Sequence, residues 1–129
     1  HLIEKNQNKS LQEVLVENGI QRFKEIEEAA ILSVEFNQTV LATGGSAIFS
    51  KKAMNYIAGN SLVIYLEVSF EDIIDRIPDF SNRGFIKEAD QTIKQAFNER
   101  ENIYRKFADH IVTNNEGLES CFEKILRII

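Results

Sequence analysis

The chain has a single cysteine, Cys121, so an intrachain disulfide and a cysteine-built zinc cluster are both excluded. It has no apolar run near the roughly 18 residues of a membrane span, and no signal-peptide pattern is visible. A cytoplasmic location is therefore expected. Positive charge is in deficit: the formal net charge is −5, which argues against nucleic acid or a membrane surface as partner. An acidic protein can still bind anions where a cleft focuses its cations. Internal repeats, low-complexity stretches and linkers are missing too, and no phosphate-binding glycine loop of the Gly-x-x-x-x-Gly-Lys type occurs. The 129 residues suffice for one domain with one core, and a composition of 43% hydrophobic and 27% charged residues argues against disorder. The first residue is His1 rather than methionine, which leads us to expect a processed chain or part of a longer one.

What the chain does have is an apolar segment, Thr39–Thr43, running straight into Gly44-Gly45. The residues before it read as helical. Ser10 with Glu13 forms a capping-box pattern, and Gly19 is a stop signal. A longer helix is expected over 20–34, with Phe23, Ile26, Ala30 and Val34 at helical spacing. Strands are expected at 39–43, 62–68 and 110–113. Helices are expected near 51–58, over 70–77 behind Ser69, over 87–109, and from about Leu118 to the end. The last should bury Leu118, Cys121, Phe122 and Ile125. Strands alternating with helices predict an α/β fold, a parallel sheet with flanking helices. Three strands are few for so many helices, so strands are expected to be missing on the N-terminal side.

Glycines at the C-terminal end of such a strand let a ligand approach the backbone, whose free N–H groups bind hydroxyls or anions. Lys24 and Glu27 share a helix face and could grip a polyol or a carboxylate; the plain alternative is a solvated ion pair. Arg22 beside them reads as surface charge. Arg76, Arg83 and Arg100 form a second set. Arg83 lies in a polar loop that could close over phosphates. Arg100, four residues before Tyr104, could hold a carboxylate through two parallel hydrogen bonds. For each arginine a surface cation is the plain alternative. His110 reads as structural at the start of a buried strand, and Cys121 as an inert buried thiol.

These pieces in order resemble shikimate kinase: Leu2-Ile3-Glu4, Lys9-Ser10 with Glu13, Gly19, Phe23-Lys24 with Glu27, Val40 to Gly45, Val63 to Leu66, Arg76, Arg83, Arg100-x-x-x-Tyr104, and Ala108-Asp109. The resemblance spans essentially the whole chain. It implies a P-loop kinase-like, three-layer α/β/α fold in one domain over 1–129, with substrate-binding helices in 1–36 and a lid at about 78–86. The activity implied is transfer of the ATP γ-phosphoryl group to the 3-hydroxyl of shikimate, with Mg2+ as cofactor, in aromatic amino-acid biosynthesis. Carried over by position, Lys24, Glu27, Gly44, Gly45 and Arg100 would line the shikimate site. Arg83 would be the catalytic lid arginine, and Arg76 with Arg83 would lie at the nucleotide. The family's P-loop and Asp-x-Asp pair are not within these residues, so the magnesium ligand and the ATP cradle are expected outside them. Three positions depart from the family: Lys24 for arginine, Ser46 for a third glycine, and Gly84 for the proline after the lid arginine. Lysine cannot form the planar fork of arginine. Ser46 would strain the turn if its φ were positive, and Gly84 should loosen the lid. Two other readings stay open: a kinase of the same fold for another small hydroxylated metabolite, and a non-catalytic remnant that binds a metabolite or partner.

Overall fold

Helix α1 covers Leu2–Gln7, and α2 covers Leu11–Leu32. The structure, a computed structural model, describes residues 2–77 and 86–129. α2 starts where the capping box places it: the Ser10 hydroxyl accepts from the Glu13 N–H, and the Ser10 N–H donates to Glu13 Oε2 at 2.8 Å. Two of the orphan donors at the helix start are thereby satisfied. Gly19 has φ 74°, so it interrupts α2 as the stop signal predicted. Beyond it α2 buries Phe23, Glu27 and Ile31, four residues apart on one stripe. Val14, Phe23 and Ile86 form a core cluster, with Leu11, Leu15 and Ile26 packed against it. After residues 33–46 comes a single 3-10 turn, Ala47–Phe49, and then α3, Lys51–Asn60. Ser50 caps α3 by accepting from the Ala53 N–H at 3.0 Å. α3 buries Ala53, Met54 and Ile57, and its Tyr56 hydroxyl donates to the Val34 carbonyl at 2.7 Å. These residues, with 86–88, make one compact body.

The second body holds residues 62–77 and 89–129. Its strands are β1, Ile64–Glu67, and β2, His110–Thr113. They pair in parallel, Ile64 against His110 through Glu67 against Thr113. Asp109 fixes that register from outside the ladder: its Oδ2 accepts from the Val63 N–H at 2.8 Å and its N–H donates to the Val63 carbonyl at 2.9 Å. The crossover between the strands carries α4, Phe70–Arg76, and α5, Ile93–Phe107; α6, Leu118–Leu126, follows β2. Ser69 caps α4 as expected.

Three expectations need correction. Residues 39–43 join no ladder among the described residues, and Val40 is 97% exposed. Apolar, β-branched residues favour a strand, but a strand exists only where a neighbour pairs with it. α5 begins at Ile93, not near Lys87, because Thr92 and Gln95 form a capping box that starts the helix there. In α6 Cys121 is buried, but Leu118 is 84% and Phe122 58% exposed. Periodicity defines a face; only packing decides whether that face is covered.

Candidate functional site

In the first body, α2 places Lys24 and Glu27 on neighbouring positions, and the bend at Gly44-Gly45 comes back against them. Glu27 is buried, and a buried carboxylate is costly unless donors reach it. Ser46, itself buried, supplies one: its Oγ donates to Glu27 Oε2. A Cβ on Gly44 would lie 2.8 Å from Glu27 Oε1, so the backbone of the double glycine closes directly over the carboxylate. A side chain at 44 would push that carboxylate aside. The turn holds itself together through the Ala47 N–H, which donates to the Gly44 carbonyl at 3.3 Å. Lys24 takes a different partner, the ring of Phe49, with Nζ 5.0 Å from the centroid. The solvated Lys24–Glu27 ion pair of the plain alternative is not made. Ser46 has φ −89°, an ordinary right-handed value, so the strain expected from replacing a glycine is absent.

In the second body, Arg100 is only 4% exposed. A charge so far from water is expensive to bury, so the surface-cation reading fails for Arg100. One turn on, Tyr104 stacks against Tyr65 of β1, centroids 5.1 Å apart. Burial, reinforced by the carboxylates of Glu101 and Glu67, pushes the Tyr65 phenol up to about 12. Arg76 is exposed, and its Nη2 donates to the Asn114 carbonyl at 2.7 Å, tying α4 to the end of β2. Arg105 pairs with Glu67 and Glu101.

Lys24, Glu27, Gly44 and Gly45 thus belong to the first body, and Arg76 and Arg100 to the second. Arg83 and Gly84, with the lid assigned around them, lie outside the described residues. Arg22 is a surface cation paired with Glu25 at 2.7 Å, and that bond lowers the Glu25 carboxyl below its ordinary range. His110 sits at the start of β2 but is exposed, which corrects its placement in a buried strand. Cys121 is a buried free thiol, as expected. Sequence reasoning missed the tasks of Ser46 and Phe49. Ser46 stood out only as a departure from a glycine pattern, and no local spacing signals a hydroxyl reaching a carboxylate 19 residues away. Among the described residues no group of three or more His, Cys, Asp or Glu side chains fits a metal ion. Nor is any helix among them long and apolar enough to cross a membrane.

A family model described as shikimate kinase matches residues 1–129. A shikimate kinase of Clostridium botulinum is 35% identical over 130 residues, covering 98% of this chain and 76% of the relative. One from a Sulfurihydrogenibium species is 30% identical over 127 residues, covering 97% and 76%. Among solved structures, shikimate kinase from Acinetobacter baumannii in complex with shikimate superposes with a TM-score of 0.86 at 23% identity, covering 98% of this chain and 73% of that one. Shikimate kinase from Aquifex aeolicus superposes at 0.78 and 24% identity, covering 97% and 74%. At those identities the two structures establish the fold: a parallel sheet flanked by helices, of the P-loop kinase type.

Proposed function

We propose a function from one premise: the chain belongs to the shikimate kinase family. It is a small-molecule kinase, and the reaction is transfer of the ATP γ-phosphoryl group to the 3-hydroxyl of shikimate. The observation that carries this reading beyond the family match is the bend at Gly44, closed over the buried Glu27 carboxylate with Lys24 alongside. Backbone N–H groups at a glycine bend suit hydroxyls, and a lysine suits an acid; shikimate offers both.

In this proposal the Gly44-Gly45 backbone and Glu27 orient substrate hydroxyls, and Lys24 supplies charge to the carboxylate. Arg100 is, by the family resemblance, a further cation for an acidic substrate; its burial favours a fixed role over a solvated one. Arg83, in a lid over 78–86, is assigned to the transferring phosphate, and Arg76 with it to the nucleotide. Phosphoryl transfer asks the protein mainly for positioning and positive charge, so a set of this kind suffices without a covalent participant. Magnesium belongs to the proposal as the companion of ATP's phosphates, which usually supply much of its coordination. The described residues do not form a cage for it. In the same proposal the location is the cytoplasm, where ATP is available, and the whole chain is one kinase domain.

The test is shikimate-dependent ADP formation by the full-length protein with magnesium. Turnover supports the reading. A folded protein that binds ATP but leaves shikimate untouched, while phosphorylating another hydroxylated acid, would move the substrate assignment to that acid.

A further inference from the structure

Ser46 stands where the family resemblance calls for glycine, and its side chain is used. We propose that Ser46 is a positioning residue for acid recognition: its hydroxyl holds the Glu27 carboxylate beneath the double glycine and away from Lys24, which leaves the Lys24 ammonium un-neutralised for the carboxylate of the substrate. The substrate half of this statement rests on the function proposed above.

Lys24 and Glu27 are three apart on α2, a spacing at which opposite charges ordinarily pair. Here they do not, and the short turn after the glycines supplies the reason. A serine hydroxyl has one proton to donate, and Ser46 gives it to Glu27 Oε2. On the other oxygen, Gly44 leaves no room for even a methyl group, at 2.8 Å from Oε1. Three residues after Ser46, Phe49 offers its ring to Lys24 Nζ at 5.0 Å. An aromatic face attracts an ammonium without cancelling its charge. Residues 46 and 49 therefore sort the two charges: the carboxylate is tied down, and the ammonium is seated yet remains a full cation. A glycine at 46 has no donor for this task.

Two readouts in the full-length protein test this. The first needs no substrate: acetylation of Lys24 by acetic anhydride, followed by peptide mass spectrometry with Lys51 as internal reference. In Ser46→Ala the Glu27 carboxylate loses this donor and draws closer to Lys24, and labelling of Lys24 slows about threefold. Adding Glu27→Gln to that variant restores the rate, since a neutral amide cannot neutralise the ammonium. Unchanged Lys24 labelling in Ser46→Ala overturns the proposal. The second readout is kinetic. Ser46→Ala raises the shikimate KM about tenfold with kcat within about twofold, and changes KM less than about twofold when Glu27 is already Gln. An equal KM penalty in both backgrounds means that Ser46 does not act through Glu27, and also overturns it. The expected labelling pattern in a protein that does not phosphorylate shikimate would sustain the placement of Ser46 while defeating the shikimate assignment. If Ser46→Ala does not fold, Ser46→Gly removes the same hydroxyl and carries both measurements.

Discussion

Both bodies carry ordinary surface pairs, Arg22 with Glu25 in the first and Arg105 with Glu67 in the second, but they differ in how they hold the charges assigned to the site. In the second, several exposed charges are matched: Arg105 pairs with Glu67 and Glu101, and Lys124 Nζ reaches both Glu116 and the Thr113 side chain at 3.0 Å. Arg100 differs from these in being buried, carried in the middle of a regular helix. In the first body, two opposite charges on one helix face are kept apart by an irregular bend and a single 3-10 turn. Surface pairs of the first kind contribute little individually, typically up to about 1 kcal/mol, and serve mainly to blunt the surface. The lesson is that the charged groups assigned to chemistry here are set apart from the solvated surface pairs by burial or by the group that seats them.

The comparison can be broken most severely at Arg100. Arg100→Ala is expected to lower kcat/KM for shikimate by about a hundredfold or more, the usual scale for deleting one member of a desolvated charge pair. Arg100→Lys should fall between that variant and the parent, because the charge stays and the fork is lost. Steady-state kinetics decide it, and an unchanged kcat and KM in Arg100→Ala would remove Arg100 from the site. Next is Gly44→Ala in the first body. Its Cβ would meet Glu27 Oε1 at 2.8 Å, so the carboxylate must shift off Ser46. Because the atom met is the end of a flexible side chain, we expect only about 1 kcal/mol of destabilisation together with a raised shikimate KM, read by denaturant unfolding and kinetics on the same sample. Thr92→Ala touches only the second body's framework. It removes the cap at which α5 begins and should cost about 1 kcal/mol in unfolding free energy, with little change in KM.

The smallest effect is a pH dependence. Tyr65 ionises at about 12 in the folded protein against an ordinary value of 10. Between those values the unfolded chain binds fewer protons than the folded one, so stability falls as pH rises through that window. Tyr65→Phe should flatten that part of the alkaline decline, which thermal midpoints across the window would reveal. Midpoints that fall equally steeply in the variant would mean that burial of Tyr65 does not set the limb.

Much of the local structure was legible without coordinates. Ser10 with Glu13, Gly19, Ser69 and the span 110–113 all behave as their residue types require. The start of α5 is marked in the sequence too, by Thr92 and Gln95, although the helix was expected to begin upstream of them. The pairing expected of 39–43 was not legible, because no residue within that segment specifies a neighbour. Of the site, Lys24, Glu27 and the double glycine were recognisable by type and spacing, and the structure brings them together. The partner of each was not recognisable.

Caps, helix stops and turn residues act through bonds that reach three or four positions along the chain, so composition and spacing alone determined where most helices begin and where α2 breaks. The family, too, was carried by the ordered set of residues. Which charge meets which group was decided only by the path of the backbone. Ser46 reaches Glu27 across 19 positions, and Phe49 lies under Lys24 rather than elsewhere in the core. Arg100 is buried while Leu118 and Phe122 stay in water. Such contacts depend on where distant segments arrive in space, and desolvation, not residue type, then sets what each side chain can do.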